Sequence, residues 1–224
     1  MLLYSALCSS SKLTYNFIML IYRRKGRKKY RCIVGVDEVG RGPIAGPVAV
    51  GAIVLLPPFR SSPFKGVKDS KKLTQKEREM WFEKINIAKI RGELDYCIST
   101  TAPHRIDVMG IMPATRDALR RALSRLDIVP RQALILLDGG LQAPKKFHYQ
   151  ETIIRGDESE LAITLASIVA KVKRDRKMIR LGELYPHFAF EAHKGYGTKE
   201  HYRQIKKHGL CILHRRSFLT KLTI

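Results

Sequence analysis

Two five-residue runs, Cys32-Ile33-Val34-Gly35-Val36 and Ala133-Leu134-Ile135-Leu136-Leu137, are apolar at odd and even positions alike. A strand wetted on one face alternates in polarity, whereas a strand covered on both faces does not, so these runs predict strands buried between helical layers. Residues 48–56 repeat the pattern after a Gly- and Pro-rich connection, which predicts an antiparallel hairpin with the first run. Thr74 and Glu77 form a capping box ahead of Met80, Trp81, Ile85 and Ala88 at helical spacing. A third strand is expected at 94–101, and Leu119, Ala122, Leu123 and Leu126 make a helical stripe over 115–126. A short strand at 151–154 precedes Gly156-Asp157 and a long helix with Leu161, Leu165, Ile168, Val169 and Val172 at core spacing. Pro186 ends that region, and a basic helical segment follows at 198–208. The class is α/β, and 224 residues suffice for one cored domain.

Charge narrows the function. Lys and Arg number 42 against 20 Asp and Glu, a formal charge of +22, which is the footprint of a polyanion binder. From Lys171 onward there are 14 basic residues against 4 acidic ones, so this part is expected to follow the polyanion backbone. A membrane surface would ask for a helix with a clean basic face, and none is evident. The apolar run at 17–22 is too short to span a bilayer. No acid precedes Asp37, so residues 1–29 read as a basic extension. It is a disordered arm adding phosphate contacts, an organelle transit segment, or sequence upstream of a start at Met19. Cys8, Cys32, Cys97 and Cys211 are widely spaced, which fits reduced thiols in a cytoplasmic setting and no zinc ribbon.

Four acids fall at the edges of expected elements: Asp37-Glu38 where the first buried run stops, Asp138 after the run at 133–137, and Asp157 before the long helix. Strand ends are where open α/β sheets build sites, so the four can converge despite their sequence separation. Converging carboxylates repel unless a divalent cation neutralises them, and an all-oxygen set without His or Cys selects Mg²⁺ or Mn²⁺ over zinc. Taken singly, Asp138-Gly139-Gly140 also reads as a turn and Asp157 with Glu160 as a helix cap. Gly40-Arg41-Gly42-Pro43-Ile44-Ala45-Gly46-Pro47 reads as a rigid loop able to bring amides close to a phosphate or sugar, or as a structural turn. Ser70, Lys71 and Lys72 are candidate phosphate contacts. So is Lys194, in His193-Lys194-Gly195-Tyr196-Gly197-Thr198, where Tyr196 can stack on a base or sugar or be a buried loop residue.

In order, Gly35-Val36-Asp37-Glu38-Val39-Gly40-Arg41-Gly42-Pro43, Asp69-Ser70-Lys71-Lys72-Leu73, Leu137-Asp138-Gly139, Gly156-Asp157, Ala166-Ser167-Ile168-Val169-Ala170-Lys171-Val172, His193-Lys194-Gly195-Tyr196-Gly197-Thr198 and His214-Arg215-Arg216-Ser217-Phe218 resemble type 2 ribonuclease H, ribonuclease HII, over residues 31–218. The resemblance implies a ribonuclease H-like fold, a five-stranded mixed sheet flanked by helices with a C-terminal helical extension. It makes 30–224 a catalytic domain whose C-terminal helical part begins near residue 173. It implies a monomeric enzyme that cuts RNA in RNA–DNA hybrids and 5′ of single ribonucleotides in duplex DNA, with a role in DNA replication and repair. It places a two-metal acidic tetrad on Asp37, Glu38, Asp138 and Asp157, recognition of the 2′-hydroxyl on Gly40, Arg41 and Gly42, and a junction-sensing tyrosine on Tyr196. The type 3 enzymes end their tetrad in Glu and carry a sizeable N-terminal domain, which favours type 2 here. Two departures stand out: Gly140 where the family usually has Asn, and Thr164-Leu165 where small alanines are typical. The first is expected to remove a hydrogen bond that orients the site, the second to shift Asp157. The rival reading is a non-catalytic nucleic-acid-binding protein on the same fold.

Overall fold

A computed structural model describes residues 22–23 and 29–220; Cys8, most of the basic extension and the last four residues lie outside them. Five strands form one sheet: β1 (Cys32–Val39), β2 (Val48–Leu55), β3 (Leu94–Thr101), β4 (Ala133–Asp138) and β5 (Tyr149–Ile153). Their spatial order is β3-β2-β1-β4-β5. β1, β2 and β3 pair antiparallel, whereas β1–β4 and β4–β5 pair parallel. The sheet is therefore five-stranded and mixed, as the resemblance implied. Ahead of it, Tyr22–Arg23 pairs antiparallel with Lys29–Tyr30.

Helices cover both faces, which is why β2 is buried at every position and its sequence shows no alternation. On one face α3 (Ile111–Ser124) packs Ala118, Leu119, Ala122 and Leu123 against Val34, Val36, Val50 and Ile135. On the other lie α1 (Gln75–Ile90) and the 24-residue α5 (Leu161–Leu184). Short helices α2 (Pro103–Met109) and α4 (Gly156–Ser159) precede α3 and α5. After α5, α6 (Phe190–His193) and α7 (Lys199–His208) build a C-terminal helical extension with its own apolar cluster around Ile44, Met178, Phe188, Phe190 and Ile205. α5 runs unbroken through residue 173, so the extension grows out of a helix that also belongs to the core.

Several expectations change in detail. β1 runs to Val39, pairing with β2 as far as Val39↔Ala49, so Asp37 and Glu38 stand inside the strand and not just past it. The Thr74 capping box is present, yet Met80 is half exposed and Phe82 takes the core position, because the buried stripe is Trp81, Phe82, Ile85 and Ala88. α3 begins at Ile111, where Gly110 in a left-handed conformation breaks the chain from α2. The capping role considered for Asp157 is not used: it lies within α4, and the residue before α5 is Glu160, which makes no side-chain cap.

Close approach of α5 to the sheet depends on two missing side chains. A Cβ on Gly35 would stand 2.1 Å from the backbone of Ala162, and one on Gly51 would stand 2.7 Å from the Ala166 carbonyl. Backbone cannot move aside as a flexible side chain can, so Gly35→Ala is expected to destabilise the fold by about 3 kcal/mol. Denaturant unfolding checks this, and an unchanged midpoint would contradict the packing.

Candidate active site

The parallel register places Val36 beside Leu137, so the next residues on each strand, Asp37 and Asp138, stand side by side at the carboxyl end of the sheet. Side chains alternate along a strand. Val34, Val36, Ile135 and Leu137 face α3, while Gly35, Leu134 and Leu136 face the α5 side. Asp37 and Asp138 share the second parity and therefore one face. The chain then returns through β5, and α4 brings Asp157 to the same place: the Gly156 amide donates to Asp138 Oδ1 at 2.7 Å.

Each acid is held by its own neighbours. Asp37 is 4% exposed and accepts the Glu38 amide at 2.7 Å and a hydrogen bond from Ser167 of α5. Ser167 in turn contacts the Ser70 hydroxyl at 2.7 Å. When Asp37 is ionised it can only accept, so in that form Ser167 donates to Asp37 and Ser70 donates to Ser167. Asp157, equally buried, accepts from Lys71 Nζ at 2.9 Å. Glu38 pairs one oxygen with Arg41 at 2.9 Å, while its other oxygen is buried without a partner. Thr164 does not disturb Asp157: its hydroxyl donates to the Asp157 carbonyl at 2.8 Å and so helps hold that turn.

Burial, with the charges of Glu38 and Asp138 added, raises the Asp37 carboxyl to about 7 despite the Ser167 hydrogen bond. Asp138 is raised for the same first reason, with Asp157 contributing and the Gly156 amide and Lys71 opposing. Burial works against the Lys71 ammonium, but its bond to Asp157 and the charges of Asp157, Asp37 and Asp69 outweigh this and raise it. A partly desolvated all-oxygen cluster with a partnerless carboxylate oxygen fits a hard divalent cation, which relieves the repulsion that lifts Asp37. Among the described residues no group of three or more such side chains stands close enough together to hold a metal ion; Asp157, Asp138 and Glu38 are each turned to a protein donor.

A cleft of about 360 Å³ opens over Asp37 and Glu38, lined also by Ser70, Lys71, Lys171 and Tyr196. Tyr196 is half exposed, and its ring lies 3.8 Å from where a Gly42 Cβ would be. The tyrosine ring thus packs against the glycine-arginine-glycine loop at the edge of the cleft. The remaining candidates are placed less centrally. Ser70 lines the cleft but is 2% exposed, with its hydroxyl engaged by Ser167. Lys72 forms a surface pair with Glu158 at 2.9 Å, and the half-buried Lys194 donates to the Glu191 carbonyl.

Two residues that hold the loop were not among the candidates, although Arg215 stood in one of the quoted motifs. Arg174 and Arg215 are fully buried beneath the loop. Arg215 donates to the carbonyls of Gly40 (2.7 Å), Arg41 (2.9 Å) and Gly46 (2.9 Å), and Arg174 donates to Pro47 at 3.0 Å. Gly40 has φ +84°, and a Cβ there would overlap Arg174 Nε at 2.1 Å. Burial first, then the neighbouring Arg174 charge, lowers Arg215 to about 9. The available signal was the row Ser167, Ala170, Arg174 and Met178, which shares one buried face of α5; an arginine is ordinarily read as solvent-facing.

A mixed sheet with a buried and a half-buried carboxylate near the carboxyl ends of two adjacent strands, beside a glycine loop in a strongly basic chain, fits the class of polyanion-directed hydrolases. The sequence model of the family Ribonuclease HII matches residues 34–221. Ribonuclease HII of Caldicellulosiruptor saccharolyticus is 42% identical over 196 residues, 88% of this chain and 91% of that one. That of Caldicellulosiruptor bescii is 44% identical over 86% of this chain and 89% of its own. Among solved structures, the ribonuclease H2 from Pyrococcus horikoshii superposes with a TM-score of 0.65 at 28% identity, covering 85% of this chain and 96% of that one. The chain belongs to the ribonuclease HII family. It is a type 2 ribonuclease H, an endoribonuclease.

The raised Asp37 carboxyl has a sign in stability. The unfolded chain releases this proton near pH 4, whereas the folded protein keeps it until about pH 7, so stability drains away between those values and levels off above them. Asp37→Asn removes that loss. In metal-free protein the variant is expected to gain on wild type between pH 5 and pH 8, by on the order of 5 °C in Tm. An offset that does not change with pH would contradict the burial argument.

Proposed function

We propose that the enzyme cuts the RNA strand of RNA–DNA hybrids, and the phosphodiester 5′ of ribonucleotides embedded in duplex DNA, in the cleft over Asp37, leaving 3′-hydroxyl and 5′-phosphate ends. The observation that carries this reading is the shared face of Asp37 and Asp138, with Tyr196 lining the cleft over Asp37 and packed against the 40–42 loop. Asp37 and Asp138 are the central ligands for Mg²⁺ or Mn²⁺, Glu38 an accessory one, and Asp157 a ligand that also helps position the attacking water. The cations, when bound, supply an activated water and neutralise charge at the leaving 3′-oxygen.

The chain's own groups prepare that chemistry. The Glu38 amide and Ser167 aim Asp37, the Gly156 amide aims Asp138, and Lys71 holds Asp157. Gly40, Arg41 and Gly42 meet the 2′-hydroxyl, the group that separates RNA from DNA at one position, and Tyr196 stacks at the RNA–DNA junction. Lys71, Lys72 and Lys194 add phosphate contacts, while Ser70 acts through Ser167. The buried acids count against a purely binding role: a protein that only grips phosphates gains nothing from carboxylates facing a polyanion.

With Mg²⁺ or Mn²⁺, a duplex holding one ribonucleotide is expected to be cut and its all-DNA twin left intact; cleavage of both, or of neither, rejects the reading. Asp37→Asn should lower the rate by about 10³-fold or more while hybrid affinity is kept and still falls steeply with salt. Open space surrounds the Cβ position of Gly140, so Gly140→Asn fits and is expected to raise the rate, an idea that equal single-turnover rates would reject.

A further inference from the structure

Beneath Tyr196 lies a chain of hydrogen bonds whose direction is set at both ends. The Cys211 backbone N–H donates to His214 Nδ1 at 2.9 Å. His214 Nε2 stands 3.1 Å from His201 Nε2, and His201 Nδ1 stands 2.8 Å from the Tyr196 carbonyl. A peptide N–H only donates and a peptide carbonyl only accepts. His214 Nδ1 also stands 3.3 Å from the Cys211 carbonyl and 3.2 Å from its thiol, but the amide contact is shorter and only a bare Nδ1 leaves Nε2–H to bond His201, so His214 Nδ1 is bare and His201 Nδ1 protonated. With both rings neutral, His214 Nε2–H donates to His201 Nε2, and no other arrangement makes all three bonds. Both rings are buried, at 2% and 0% exposure, and burial holds each imidazole down to about 4, which keeps them neutral under ordinary conditions.

A third imidazole belongs to the same assembly. His193 stacks on His201 with ring centroids 4.3 Å apart; its Nδ1 accepts the Gly195 amide at 3.1 Å, so its Nε2–H donates to the Phe188 carbonyl at 2.7 Å. The relay also ties three loops together. The amides of Ile44 and Ala45 donate to Gly195, the Gly46 amide donates to Leu213, and the Arg215 amide donates to Ile44. Arg215, next to His214, holds the Gly40 and Arg41 carbonyls. The segment bearing Tyr196 and the loop it faces are thus registered against each other through residues 211–215.

We propose that His201 and His214 are positioning residues for ribonucleotide recognition: their directed neutral pair fixes the Tyr196 carbonyl, and so sets the tyrosine ring against Gly42 at the cleft. The inference rests on the proposed junction role of Tyr196. A purely structural pair would stabilise the extension without favouring one substrate over another, and the two cases separate by experiment.

The test compares kcat/KM on a duplex with one ribonucleotide and on a long RNA–DNA hybrid. His201→Leu deletes the donor to Tyr196 and is expected to lower the one-ribonucleotide to hybrid ratio on the order of tenfold, the worth of one buried hydrogen bond. His201→Asn keeps a donor at the position of Nδ1 and should retain most of the ratio. In a Tyr196→Ala background His201→Leu should change the ratio no further. An unchanged ratio in His201→Leu, an Asn variant no better than the Leu variant, or an additive effect on Tyr196→Ala would overturn the proposal. The wild-type protein gives an independent readout should a variant fold poorly. Imidazole ¹⁵N spectra are expected to show the Nδ1–H tautomer for His201 and Nε2–H for His214 and His193, and other tautomers would refute the relay. A wild type that cuts neither substrate rejects the proposed reaction instead, while the spectra still judge the relay.

Discussion

The parallel ladder between β1 and β4 is the constraint on which the rest of the structure depends. It sets two carboxylates beside each other on one face of the sheet, where no short connection could place them. The same face must admit α5 closely enough for Ser167 to reach Asp37 and for the chain ahead of the helix to deliver Asp157. Gly35 and Gly51 make that approach possible because α5 backbone occupies the space where their Cβ atoms would be. Site geometry and core packing are therefore one problem, solved by one helix against one pair of strands.

Buried charge of both signs surrounds the cleft. On the sheet side, Asp37, Glu38, Asp138 and Asp157 repel one another and are held by amides, a serine and Lys71. Beneath the 40–47 loop, Arg174 and Arg215 are buried, and among the described residues no carboxylate is hydrogen-bonded to either and both terminal nitrogens of Arg174 are unbonded. Such groups cost stability, and what they secure is loop shape: four carbonyls turned inward onto guanidinium donors. A fold optimised for stability alone would avoid both arrangements. The reaction proposed for this cleft draws on both.

Much of this was legible from residues alone, for identifiable reasons. Runs apolar on both parities announced strands covered on both faces, and Thr74 with Glu77 announced the start of α1. The four acids stood out as candidates because acidic residues are few in a chain this basic and these fall at the edges of expected elements. The extra length of β1 was missed because Asp37-Glu38 reads as a strand terminator when only propensity is weighed, while pairing with β2 carries the ladder to Val39. Met80 was misplaced because helical spacing does not fix the phase of the buried stripe. Ser70 was legible as polar but not as buried, since its partner Ser167 lies 97 positions away. Arg174 was passed over although it shares the buried row of Ser167, Ala170 and Met178 on α5, because an arginine is ordinarily read as solvent-facing; for Arg215 only the three-dimensional meeting of its guanidinium with the loop carbonyls gives it a role.

The central claim is that carboxylates from three remote stretches of chain grip the same cations. Anomalous diffraction from crystals of the enzyme with Mn²⁺ and a hybrid whose scissile phosphate resists hydrolysis tests it most directly. The account predicts manganese within direct coordination distance of Asp37 and Asp138, with Glu38 and Asp157 reaching the same pair of ions. Manganese bound elsewhere, or an ordered hybrid in the cleft with no metal at Asp37, would contradict it.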